Sequence, residues 1–172
     1  IDVPIDTFYE RSNGKEKILN QITASHIDPD KALLLYDIVI AVDTNTINDT
    51  SVTAIAQMCF TGKTDGVVDV NCKVWDNTKI LKPEVHAWAV VINTVYSQLQ
   101  NKKQNKTVAI VVDSELGALQ QYNKREKPLV QDIYLPPGFT LVYASADTGM
   151  EFIANQLIRI CDKCAGEVLS CI

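Results

Sequence analysis

Three acids, Asp43, Glu84 and Asp113, stand in local settings that could gather carboxylates for metal chemistry. Asp43 and Asp113 each follow an apolar, β-branched run, residues 38–42 and 107–112. A carboxylate at the end of such a strand is costly unless a cation or a proton compensates it. Glu84 follows Pro83 at the head of a long amphipathic stretch, where proline suits the first helical turn and an acid suits the positive helix end. Two carboxylates about 4 Å apart repel by roughly 4 kcal/mol at an effective dielectric near 20. Three converging on one sheet end would call for protons or a hard divalent cation, and all-oxygen ligands suit Mg²⁺ or Mn²⁺. Such an ion can generate a hydroxide and stabilise a leaving oxygen in phosphodiester hydrolysis. Read singly, each aspartate is equally a strand terminator in common turn chemistry.

The elements that must position these acids follow from periodicity. Residues 33–42 are nearly all apolar, as in a strand covered on both faces. Residues 52–60 and 67–75 read as strands joined by a short Gly-containing connection, hence an antiparallel hairpin. A helix is expected from Pro83 through Gln100, with Val85, Trp88, Ile92, Val95 and Leu99 as its buried stripe. Then come a strand at 107–112, a short helix at 115–122 and a strand at 139–144. The last helix is expected over 148–165, opened by a capping box of Thr148 and Glu151. Three strands followed by α/β alternation predict a mixed sheet with helices on its faces. Residues 1–35 form an N-terminal extension packed on the domain of residues 36–172, with a helix expected around 15–24 and a turn at 25–30.

The bulk numbers fit one globular domain: 172 residues, 47% hydrophobic and 22% charged. No apolar run approaches the roughly 18 residues of a membrane span. The net charge of −5 speaks against a protein that grips nucleic acid by charge alone. Basic residues are nevertheless clustered, Lys102, Lys103 and Lys106 in one loop and Lys124, Arg125 and Lys127 in another. Five cysteines without a secretory pattern point to reduced thiols and an intracellular, cytoplasmic protein. Cys161 and Cys164 lack a fourth ligand at zinc spacing and read as apolar thiols on a helix. Trp75 and Trp88 read as packing residues, and His86, two residues from Glu84, as a surface or groove residue.

The order of these elements, and four places along them, resemble the ribonuclease H superfamily. Asp43-Thr44-Asn45-Thr46 looks like the end of that family's first strand, Glu84-Val85-His86-Ala87 like its Glu-Leu-x-Ala helix start, and Asp113-Ser114 like its Asp-Ser. Residues 145–157 align without a gap on its His-x-Gly-x-x-Gly-Asn-Glu-x-x-Asp-x-Leu. The resemblance implies a ribonuclease H-like five-stranded mixed sheet. It implies catalytic Asp43, Glu84 and Asp113, and a Mg²⁺ or Mn²⁺ site of these three with Asn155. It implies Lys124, Arg125 and Lys127 as a substrate-gripping loop, and an RNA or RNA–DNA hybrid as substrate, cut on its RNA strand. Two departures fall in residues 145–157. Asn155 stands where the fourth acid is expected and Ser145 where the family has a mobile His, with Asp147 and Glu151 as candidate compensating acids. An alternative reading is therefore a weak or inactive module that binds protein or nucleic acid, with residues 1–35 offering a protein-binding surface. The local Val42-Asp43-Thr44-Asn45 is also similar to PIN-type nucleases, which place a helix, not a hairpin, directly after it.

Overall fold

The computed structural model describes residues 9–12, 15–18, 29–59, 67–113, 116–146 and 151–172. Five strands make the main sheet: β3 (Ile38–Ile47), β4 (Thr50–Cys59), β5 (Val67–Asp76), β6 (Val108–Val112) and β7 (Phe139–Tyr143), in the order β5-β4-β3-β6-β7. β3, β4 and β5 pair antiparallel, whereas β3, β6 and β7 run parallel. The mixed sheet expected from the element order is thus present. All five residues of β6 are buried, as a strand at the centre of the parallel part must be.

Helix α2 (Pro83–Asn101) and helix α4 (Ile153–Ser170) pack on opposite faces. Strand parity shows this: Ile40, Thr53 and Ile55 line a groove with Ala87 and Val91 of α2, while Asn45 donates from its side chain to the Asp162 carbonyl of α4 at 3.3 Å. Trp88, Ile92 and Leu99 of the expected α2 stripe are buried, with Val85 and Val95 packed at its margin.

Three stretches differ from the sequence reading. The apolar run 33–42 is divided: Leu33 ends a short helix, α1 (Pro29–Leu33), and the strand begins only at Ile38. Asp30 of α1 accepts a hydrogen bond from Ile153 N at 2.8 Å, and Ala32 and Leu33 are buried, so this part of the extension is core. The helix expected around 15–24 is not helical in its described part. Tyr9–Ser12 (β1) and Lys15–Ile18 (β2) form an antiparallel ladder. The two residues between them, Asn13-Gly14, are a strong hairpin signal that outweighs the local apolar spacing. Residues 19–28 lie outside the described residues. The last helix starts at Ile153, not 148, and its N-cap is Phe152 without a side-chain cap. Thr148 lies outside the described residues, and Glu151 precedes the helix and pairs with Arg159 at 3.1 Å, so the acid does not serve as the capping-box residue.

At the outer edge, Asn123, the last residue of α3 (Leu116–Asn123), imitates a strand. Its Nδ2 donates to Leu141 O at 3.0 Å and its Oδ1 accepts from Leu141 N at 2.8 Å. This satisfies the open edge of β7, which would otherwise offer unpaired backbone groups. Arg125, in the left-handed region at φ 59°, donates from its guanidinium to the carbonyls of Asn123, Leu135, Pro136 and Phe139. Replacing Asn123 by Ala removes both edge bonds, at a cost of about 2 kcal/mol. Thermal unfolding followed by circular dichroism should show Tm lowered by roughly 4–8 °C.

Candidate functional site

The register of the parallel pair decides where the acids meet. The β3–β6 ladder ends at Val42↔Val112, so Asp43 and Asp113 are the next residues on two adjacent strands. β3 continues beyond that point paired with β4 alone, Asp43 opposite Ala54. Asp43 therefore lies inside a strand, not at its end, and is only 7% exposed. Asp113 is half-buried, and Ala146 N, just past β7, donates to its Oδ2 at 3.5 Å. Glu84 stands in the first turn of α2, held there by Pro83.

Electrostatics bring the three together. Burial, then the charge of Glu84, then a hydrogen bond with the Asp162 side chain and its charge, then Asp113, push the Asp43 carboxyl up to about 8. Burial and the charge of Asp113 lift Glu84 to about 7. Each shift has the sign expected when like charges share a poorly solvated place. The coupling is longer in range than coordination. Among the described residues, no three His, Cys, Asp or Glu side chains stand close enough together to hold a metal ion.

Asp162 is the residue that sequence reasoning missed. It lies between Cys161 and Cys164 of the Cys-x-x-Cys stretch. Its only signal was helical spacing from Asn155: seven residues, about two turns, returns to the same face. Asn155 also lies on the buried side of α4, 0% exposed, and its Nδ2 donates to Ser145 O at 3.0 Å, tying the helix to the end of β7. Ser145 is buried beside it. Asp147 lies outside the described residues, and Glu151 is exposed.

The basic loop occupies the other end of the sheet. Arg125 bonds to carbonyls at and before the start of β7, and parallel β6 and β7 carry Asp113 at their far end. A five-residue strand separates the two places by roughly 15 Å. Lys124 is exposed, while Lys127 Nζ lies 5.3 Å from the centre of the Tyr122 ring. A groove of about 430 Å³ between α2 and β3–β5 contains Trp75 and His86, whose rings lie 5.5 Å apart, but none of the acids. The Trp75 indole donates to Thr53 Oγ1 at 2.9 Å, which makes it a sheet-packing residue as expected. Cys161 is buried, its thiol pushed up chiefly by burial, and no helix among the described residues is long and apolar enough to cross a membrane.

A carboxyl whose folded pKa is raised binds more protons folded than unfolded between the two values. Stability from Asp43 and Glu84 is thus fully present below about pH 4 and is lost as pH rises through about 7 and 8. In chelator-treated buffer, Tm should fall between pH 5 and 8.5, and Asp43→Asn should flatten that fall and raise Tm at pH 8.5. An equal slope in both proteins would show that Asp43 is not the group responsible.

No family model and no curated protein sequence matches the chain. Five solved chains match it in structure. One is the crystal structure of prototype foamy virus protease-reverse transcriptase in its native form, with a TM-score of 0.53 and 14% identity. The likeness covers 82% of this chain and 21% of that one, so this chain spans about a fifth of that protein's length. At such identity the likeness shows the fold: an α/β, five-stranded mixed sheet with helices, consistent with the ribonuclease H-like fold.

Proposed function

We propose that the chain is a divalent-cation-dependent nuclease of ribonuclease H type, hydrolysing phosphodiester bonds in RNA, in particular the RNA strand of an RNA–DNA hybrid. The observation that carries this reading is the position of Asp43 and Asp113, each the next residue past the end of the parallel β3–β6 ladder, with Glu84 in the first turn of α2. The structural likeness to a protease-reverse transcriptase supports it at the level of fold. Asp43, Glu84 and Asp113, with Asn155 on α4, would hold Mg²⁺ or Mn²⁺. The ion would supply a hydroxide nucleophile and stabilise the leaving oxygen.

The chain's own residues do the positioning. Asp43 is buried on β3, so once its proton left, its poorly solvated carboxylate would attract a cation more strongly than an exposed one. The Ala146 amide orients Asp113 by its hydrogen bond. In this reading Lys124 and Lys127 meet substrate phosphates about a strand length from the reacting bond, and Arg125 holds their loop in shape through its carbonyl contacts. A hybrid would be told from DNA by groove shape and the 2′-hydroxyl.

A second reading, a catalytically weak module that binds nucleic acid or protein, is favoured by Asn155 in the place of an acid and by the absence of a three-ligand group among the described residues. Cleavage of a labelled RNA–DNA hybrid with Mn²⁺ separates the two. The nuclease should cut in a saturable, Mn²⁺-dependent manner, and Asp43→Asn should slow cutting at least about 100-fold, equivalent to roughly 3 kcal/mol of transition-state stabilisation. Binding of the hybrid without Mn²⁺-dependent cutting would favour the module.

A further inference from the structure

We propose that the protein forms a two-fold dimer in which the β5 strands of two copies pair antiparallel about Asn71, joining their sheets into one. The two edges of the main sheet differ. The β7 edge is closed by the Asn123 side chain, bonded to both backbone groups of Leu141. β5, at the other edge, is ten residues long and, among the described residues, pairs with β4 alone. A strand of that length carries a row of backbone donors and acceptors along its outer side, about 34 Å long, which is a template for another strand. The inference is independent of the nuclease reading.

The side chains of β5 fit a second copy of the same strand. In an antiparallel pair centred on Asn71, residue 69 faces residue 73 of the partner, 70 faces 72 and 68 faces 74. Asp69, Asn71 and Lys73 share the α2 face with Gln57, Ile55 and Thr53, which stand opposite them in β4 and line the groove. On that face Asp69 of each copy meets Lys73 of the other, twice by symmetry, with Asn71 beside its own copy on the axis. Within one copy the two charges stand four residues apart on an extended strand, roughly 13 Å, and cannot pair. On the opposite face Val68, Val70, Cys72 and Val74 form an apolar row that meets itself, Val68 against Val74 and Val70 against Cys72. Val74 is 54% exposed and Cys72 is exposed, so the row has surface to bury. Opposite charges and apolar groups thus face their like-suited partners, as cross-strand stabilisation and a self-complementary interface require. Centring the pair on residue 69 or 73 would set like charges against each other, so the pattern specifies one register. The two Asp43 residues, each two strands in from β5, would then lie five strand spacings, roughly 24 Å, apart on one face.

The test is sedimentation velocity in reducing buffer at concentrations up to about 1 mM, because a single strand pair is a small interface. The wild type should pass from monomer to dimer as concentration rises. Asp69→Lys or Lys73→Asp should weaken the dimer about tenfold or more, since either one turns both facing pairs into like charges. Both side chains are exposed, so circular dichroism should give each variant a Tm close to the wild type's. The two substitutions made together exchange the charges and should restore the dimer. An equimolar mixture of the two single variants should restore it too, as a heterodimer in which every facing pair is again of opposite sign. A wild type that stays monomeric at every concentration overturns the proposal. A dimer that neither reversal weakens uses another surface and overturns it as well. Weakened single variants that neither the double substitution nor the mixture rescues would show that Asp69 and Lys73 do not face each other, and that result also overturns it.

Discussion

The burial of one carboxylate, Asp43, inside a strand governs how this end of the molecule is built. A strand interior covered by a helix is a poor solvent for charge, and each neighbouring carboxylate adds to the cost. The sheet brings three of them near all the same. The parallel β3–β6 ladder stops at Val42 and Val112, so two aspartates follow side by side, and α2 begins where Glu84 joins them. Like charges are not gathered in this way for stability. Such gatherings of perturbed carboxyls are characteristic of places where chemistry is done.

Around that point the remaining polar contacts serve positioning. α4 is tied to β3 by the Cys161 and Asp162 contacts and to the end of β7 by Asn155. α1 is tied to the start of α4 by Asp30. On the far side of the sheet, Thr44 and Thr53 share a hydrogen bond of 2.8 Å and Trp75 adds a third member, which fixes the strand next to the acid. The strands thus arrive at the site end with their registers locked by side chains as well as by the ladder.

The other end of the molecule follows a different logic. Asn123 closes the edge of β7 and Arg125 braces the connection from α3 to that strand. A basic side chain that looks in sequence like a phosphate contact has its guanidinium turned toward carbonyls of its own chain. Positive charge at that loop is presented by Lys124 and Lys127, one exposed and one lying over an aromatic ring.

The sequence by itself determined the elements and their order, because apolar alternation and helical stripes are local properties of the chain. Strands 52–60 and 67–75, the helix after Pro83 and the strand at 107–112 are all present within a few residues. It also singled out Asp43, Glu84 and Asp113, since a carboxylate after a β-branched run or behind a helix-starting proline is visible without a structure. It missed the pairing of β1 and β2, where an Asn-Gly signal competed with helical spacing, and it placed the start of α4 five residues before Ile153, where the helix begins. Only the tertiary structure decided which strands run side by side and where their ladders stop. Only it showed that Arg125 is a brace and that the Asp162 carbonyl accepts from Asn45. Those facts depend on contacts between residues 41 and 161, 45 and 162, or 125 and 139, and no local pattern in the chain records which distant carbonyl or carboxyl a side chain will meet.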